Sequence, residues 1–251
     1  QGPPVVIGPN AYVSLGDRDG TILEITLATG DIVGKITIGR PLGPNLAARS
    51  GTGLLYIPAE SRAVYVFEVD RQDADGKRLE PVLLGVMNTG HPSGSLRGVP
   101  VFSNPDPREP GPRFLVLGQA DGLETMKLRA FPLPAAVDGK PEGSASAAEL
   151  SLPGWASFPP YCDGEKLAIV TDKGEFGLYG LALAGNRDLA MFAFPSRAAK
   201  PNEQRHSRGQ VVLAEEGSFW ILAAGELRKL RFGVNNADGV RLVPYGDPIP
   251  A

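Results

Sequence analysis

Apolar residues along this chain recur in short runs, often alternating with polar ones, and each run is closed by Gly, Pro, Asp or Asn. Alternation with period two places every second side chain on one face of a strand, whereas an amphipathic helix needs apolar positions at i, i+3, i+4 and i+7. Uninterrupted helical windows are almost lacking, so the pattern predicts an all-β chain. β-branched and aromatic residues fall inside the runs, at Tyr12, Val13, Ile22, Ile25, Tyr56, Tyr65, Phe67, Phe114, Phe192 and Phe219. A pleated, half-buried surface favours those side chains.

The runs also repeat as a unit. YVSLGDRDGTILEITL from Tyr12, LYIPAESRAVYVFEVD from Leu55, FLVLGQADGLETMKLRAF from Phe114, LAIVTDKGEFGLYGLAL from Leu167 and FWILAAGELRKLRFGV from Phe219 each read as strand, short polar turn, strand. Their starts lie about 43 to 59 residues apart, near the period that marks propeller blades. A further strand follows each hairpin (DIVGKITIG, LEPVLLGVM, AAELSLPG, DLAMFAFP, RLVPYG), and another precedes the next (PLGPNLAA, GVPVFSN, SFPPYCDG, GQVVLAEEG), with PPVVIG as the first. The turn between the third and fourth strands recurs as LATGD, DADGK, AVDGK, AGNRD and NNADG, with Gly beside Asp or Asn where a tight turn requires positive φ.

The expectation is therefore a β-propeller domain of about five four-stranded antiparallel blades spanning 1–251, with blades near 1–39, 40–88, 94–152, 155–195 and 209–247. A closed five-bladed ring is the favoured form, and an excerpt of a seven- or eight-bladed ring is its competitor. The tail RLVPYGDPIPA is expected to end without a further strand. The start QGPPVV, with neither Met nor a leader, reads as that of a processed protein or an excerpt.

The stretch DGTILEITLATGDIVGKITIG, Asp19 to Gly39, resembles the repeat of the quinoprotein-like, pyrroloquinoline-quinone-type β-propeller family, and more loosely that of WD40-like propellers. The likeness is clear in the first unit, weaker in the second and one of pattern in the last three. The resemblance implies the fold. It argues against the cofactor, because Gly34 stands where that family carries Trp after Ala-Thr-Gly, and one Cys162 cannot supply adjacent cysteines.

Composition narrows the function. With 32 Gly and 24 Pro in 251 residues, helix breakers punctuate the whole chain. A single cysteine excludes an intramolecular disulfide and a multi-cysteine zinc site. The 25 basic and 28 acidic residues give a net charge of −3, which offers no electrostatic reason to bind nucleic acid or an anionic membrane. Apolar runs stop well short of the roughly 18 to 20 residues of a membrane span.

Candidate chemistry is sparse. Asp17 to Gly20, with Glu24, loosely echoes a calcium loop, but the run offers too few oxygen ligands and is expected to be a plain hairpin turn, as are DADG from Asp73 and NNADG from Asn235. Phosphate-loop, dinucleotide, zinc-protease and nucleophile-elbow motifs are missing, and two histidines leave a Ser-His-Asp system short of candidates. Cys162, in PPYCDG, lacks a neighbouring basic residue and is expected to be a small packed side chain. No catalytic residue, metal site or cofactor is expected. The charged insertions around Asp73 and Asp106 read as solvated loops.

One grouping stands out. In a propeller, the connections from the last strand of one blade to the first of the next emerge on one face. Here they carry Arg40, then His91 and Arg97, then Trp155, then Arg197, Lys200, Arg205, His206 and Arg208. An electropositive, loop-rich face of that kind suits an acidic protein segment or another anion. The expected function is thus a non-catalytic protein-protein interaction or scaffold module, alone or within a larger chain. The alternatives are a degenerate quinoprotein-like or metal-dependent propeller enzyme, and an envelope assembly factor or coat-like subunit.

Overall fold

The computed structural model describes residues 2–43, 45–49, 52–59, 63–90, 99–102, 113–122, 124–133, 148–156, 160–163, 166–173, 176–180, 190–193, 210–214, 218–223, 226–235, 239–244, 247 and 249–250. Among these, every regular element is a strand, and the strands form five antiparallel sheets in chain order. The first holds β1 (Val5–Ile7), β2 (Asn10–Ser14), β3 (Thr21–Thr26) and β4 (Ile32–Thr37). The second holds β5 (Ala47–Arg49), β6 (Leu54–Ala59), β7 (Ala63–Glu68) and β8 (Val82–Asn88). The third holds β9 (Val99–Phe102), β10 (Arg113–Ala120), β11 (Thr125–Leu133) and β12 (Ala148–Pro153), and the fourth β13 (Tyr161–Asp163), β14 (Lys166–Val170), β15 (Phe176–Gly180) and β16 (Ala190–Ala193). The fifth holds β17 (Gln210–Ala214), β18 (Ser218–Ala223), β19 (Glu226–Asn235) and β20 (Gly239–Pro244), with β21 (Ile249–Pro250). In each sheet consecutive strands are neighbours.

The tail departs from its expected ending. β20 pairs with Leu230–Asn235, and β21 then pairs with the start of β19, with Ile249 opposite Leu227 and Pro250 opposite Glu226. β19 is long enough to carry both partners on one edge, so the two short pieces act as one interrupted outer strand. The Pro-rich sequence hid this pairing, since Pro lacks the N–H that a regular strand needs.

The chain forms two compact units, one of residues 1–102, 112–119 and 131–147, the other of residues 103–111, 120–130 and 148–251. In the first unit, β6 explains how the sheets stack. All six of its residues are buried. Leu55, Ile57 and Ala59 join Ile7, Tyr12, Ile22 and Ile36 of the first sheet in one cluster. The alternate residues Leu54 and Tyr56 join Leu115 and Leu117 of β10 and Phe131 of β11 in another. A strand covered on both faces reads as a continuous apolar run rather than an alternation, and LLYIPA is such a run. In the second unit, the fourth sheet lies beside the fifth, with β13 and β14 against β17 and β16 against β20.

Outer strands are treated differently. Ile32 and Val33 of β4 and Val82, Leu83 and Val86 of β8 are exposed. Each of these strands also carries an extra residue opposite its partner: Val33 between the partners of Glu24 and Ile25, and Leu84 between those of Val66 and Phe67. Phe192 of β16 is a third case, between the partners of Leu178 and Tyr179. Such bulges interrupt the ladder and bend the strand, which makes an exposed edge a poor template for pairing with another chain.

The sequence-derived turns are seen where they are described. In LATGD, Gly30 has φ +78°, its N–H donates to the Thr26 carbonyl at 2.9 Å, and the Thr26 N–H donates to the Asp31 carbonyl at 2.9 Å. The remaining versions of that turn at 136–140 and 184–188 lie outside the described residues, as does the centre of NNADG.

Two glycines give a controlled comparison. Gly30 and Gly20 both have positive φ, but a Cβ at Gly30 would meet nothing within 4 Å, while one at Gly20 would strike the Arg40 carbonyl oxygen. Gly30→Ala should cost about 1 kcal/mol, the left-handed penalty alone. Gly20→Ala should cost about 2 to 4 kcal/mol in urea titrations, because backbone must move as well.

Candidate interaction site

Antiparallel order brings the turn between the second and third strands to the same end of a sheet as the exit from the fourth. The junction to the next sheet starts there. In the first sheet, the Gly39 N–H donates to the Asp19 carbonyl at 2.8 Å and the Ile38 N–H to the Gly20 carbonyl at 3.2 Å, so the exit is tied to the Asp17–Gly20 hairpin turn. Three residues on, Leu42 forms a bridge with Ala59 and the Gly43 N–H donates to the Pro58 carbonyl at 3.1 Å. The junction is therefore strapped first to its own sheet and then to the next.

The junction after β12 repeats this arrangement. The Gly154 N–H donates to the Glu124 carbonyl at 2.7 Å, on the turn between β10 and β11. Trp155 then meets the turn after β14 by a reciprocal pair: its N–H donates to Asp172 Oδ1 at 2.8 Å, and the Asp172 N–H donates to the Trp155 carbonyl at 2.8 Å. Gly154 has φ +81°, and a Cβ there would lie 2.6 Å from Asp172 Oδ1, so only glycine fits. The Trp155 indole is half-buried, and its Nε1–H donates to the Thr125 carbonyl at 3.0 Å. Lys173 Nζ, 3.0 Å from Glu124 Oε2, bridges the two turns a second time.

Arg40 follows Gly39 directly, His91 follows Gly90 and Trp155 follows Gly154, and all three glycines have positive φ. In sequence the three residues each come first after a left-handed glycine, and in the structure Arg40 and Trp155 share that place just past the end of a fourth strand. Arg40 is exposed. His91, Arg97, Arg197, Lys200, Arg205, His206 and Arg208 lie outside the described residues, so the structure gives positions for Arg40 and Trp155 alone. The described turns around Arg40 carry Asp17 and Asp19 beside Arg18, and those around Trp155 carry Glu124 and Asp172 beside Lys173, so charge of both signs surrounds each.

Carboxylates that echoed a calcium loop are parted by the fold. Asp17 Oδ1 accepts the Thr21 N–H at 2.7 Å, closing its own turn, and that bond holds the Asp17 carboxyl below the usual range. In DADG, Asp73 Oδ1 likewise accepts the N–H groups of Asp75 and Lys77 at 3.0 and 2.8 Å. Among the described residues no three His, Cys, Asp or Glu side chains are grouped as a metal would need. Cys162 sits in β13 opposite Leu167.

Glu24 is elsewhere, and sequence reasoning missed its role. It is fully buried on β3, where Oε1 accepts Asn10 Nδ2 at 2.7 Å and the Tyr12 hydroxyl at 2.8 Å, and Oε2 pairs with Arg78. Burial and the bond to this carboxylate push the Tyr12 phenol well above its ordinary pKa. The signal was present: the buried positions of β7 and β11 that match Ile22 and Glu24 are Val64 and Val66, and Met126 and Leu128, all apolar. The absent tryptophan also gains a reason, because a Cβ at Gly34 would lie 2.6 Å from Glu24 Oε2 and 3.4 Å from the Arg78 guanidinium.

No protein-family model matches the sequence, and no curated protein does. Solved structures do resemble the fold. Kluyveromyces lactis Hsv2 with its complete loop 6CD is similar with a TM-score of 0.54 and 12% identity, over 99% of this chain and 73% of that one. KlHsv2 with loop 6CD replaced by a Gly-Ser linker gives 0.52 and 11%, over 99% and 71%. A chain from the crystal structure of a mitotic checkpoint complex gives 0.56 and 12%, over 97% of this chain and 62% of that one. These are WD40-type β-propellers, and the all-β chain with its four-stranded antiparallel sheets matches them over nearly its whole length as a β-propeller fold. The quinoprotein side of the sequence resemblance receives no support from them.

The Asp172 carboxylate sets the orientation of Trp155, which gives a direct check. Asp172→Ala should lower stability by about 1 to 2 kcal/mol, the scale of one hydrogen bond to a partly solvated charge. In a Trp220→Phe background, which leaves Trp155 as the sole indole, its emission should move to longer wavelength and become easier to quench with iodide.

Proposed function

We propose that this chain is a non-catalytic protein-interaction module, and that it binds an acidic protein segment at the junction end through Arg40, His91, Arg97, Trp155, Arg205, His206 and Arg208. The observation that carries the proposal is the fixing of Trp155. Its backbone N–H, its carbonyl and its indole N–H are all engaged, yet the ring is half-exposed. A large aromatic side chain held in one orientation loses little conformational entropy on binding, and Trp and Arg are the residue types that most often dominate interface energy.

Two further considerations support the reading. A WD40-like propeller typically serves as a protein-interaction scaffold, and one similar chain comes from a mitotic checkpoint complex. Glycine-ended junctions carry Arg40 in the first unit and Trp155 in the second, each fastened to flanking hairpin turns. Loops set on a rigid scaffold in this way can change their chemistry without disturbing the fold.

The test is capture from an extract of the source cells with the purified chain, beside a Trp155→Ala variant and an Arg97→Glu/Arg205→Glu/Arg208→Glu variant, all shown to be folded by circular dichroism. A protein held by the parent should be lost or reduced at least tenfold in both variants. Equal capture by all three chains would remove the junction end as the binding surface.

A further inference from the structure

The connection from β7 to β8 reads in sequence as a solvated loop, but it continues the hairpin. The Leu79 N–H donates to the Arg71 carbonyl at 3.0 Å, Gln72 and Arg78 form a bridge, and the Asp73 N–H donates to the Lys77 carbonyl at 2.9 Å. Arg71 Nη1 also donates to the Glu80 carbonyl at 3.1 Å, and Gly76, at φ +76°, closes the tip. This extension belongs to the second sheet. Its Arg78, however, reaches the first sheet and pairs with the buried Glu24.

We propose that residues 70–80 form a strap from the second sheet that is locked over the first by Arg78, with Glu24, Asn10 and Tyr12 as the catch. Four features converge on this role. The Glu24 side chain is 1% exposed and the Arg78 side chain 35%, so the cation enters from the surface onto a carboxylate that is already inside. Asn10 and Tyr12 satisfy the other carboxylate oxygen and fix its direction. Gly34 leaves the space that the pair fills. The corresponding strand positions in the second and third sheets, Val66 and Leu128, are buried and apolar, so packing of a third strand does not itself require a charge.

Withdrawing a carboxylate from water is costly, and a buried ion pair often stabilises no more than an apolar pair of similar volume. Losing one partner is much worse than losing both. The lock therefore specifies where the strap lies rather than adding net stability.

Amide hydrogen exchange separates these effects. The probes are the N–H groups of Asp73 and Leu79, compared with those of β2 and β6, in the parent, Arg78→Lys, Arg78→Met and Glu24→Leu/Arg78→Met chains. Arg78→Met should speed exchange at Asp73 and Leu79 at least tenfold and lower the melting temperature. The double variant should recover most of the melting temperature while its strap amides still exchange at least tenfold faster than the parent's. Arg78→Lys, which keeps the charge, should fall between parent and Arg78→Met. Strap amides as protected in the double variant as in the parent would overturn the proposal. So would a double variant whose β2 and β6 amides lose protection as much as the strap, since the pair would then be holding the core rather than the strap.

Discussion

Double burial of the second strands is the constraint from which the rest of this structure follows. β6 is buried along its whole length, as are Leu115–Gln119 of β10 and Leu167–Val170 of β14. A strand with apolar side chains on both faces is stable only between two other layers, at roughly 25 cal/mol for each Å² of apolar surface removed from water. The sheets of the first unit accordingly stack face to face, with Leu55 and Ile57 turned one way and Leu54 and Tyr56 the other. Outer strands complete each sheet, and the bulges at Val33, Leu84 and Phe192 blunt the edges of three of them.

Stacking in turn dictates the junctions. The chain must turn sharply as it leaves the outer strand for the next sheet, a reversal that ordinary residues do not make cheaply. Glycines with positive φ at 39, 90 and 154 supply it. Hydrogen bonds from the residues around Gly39 and Gly154 then fasten the junction to the hairpin turns on either side. The residue after the glycine is exposed at Arg40 and half-buried at Trp155, so the position admits side chains as different as Arg and Trp. The fold requirement and the proposed site are in this way one feature of the β-propeller sheets.

Most of the architecture was legible because it rests on local rules. Period-two patterning marked the strands, and Asp17, Asp73 and Gly30 marked their turns by side-chain and φ preferences that act within five residues. The recurrence of Gly before Arg40, His91 and Trp155 was also readable, although the partners of the Gly39 and Gly154 junctions on neighbouring turns were not, because those contacts join residues 17 to 30 positions apart. Glu24 was misleading for a definite reason. Charged residues in alternating patterns are read as facing water, and the approach of Arg78, 54 residues away, together with the Asn10 and Tyr12 hydrogen bonds makes a buried carboxylate tolerable. The Asp70–Glu80 strap and β21 were obscured in the same manner, by charge in one case and proline in the other.

The central claim is that the junction end, not the exposed outer strands, receives the partner. A photoreactive amino acid placed at Arg40, and in a second chain at Ile32 of β4, tests it in the source cells. The account predicts a covalent adduct with a single protein from position 40 and none from position 32. Adducts from position 32 with position 40 silent would contradict it and place binding on the outer edge.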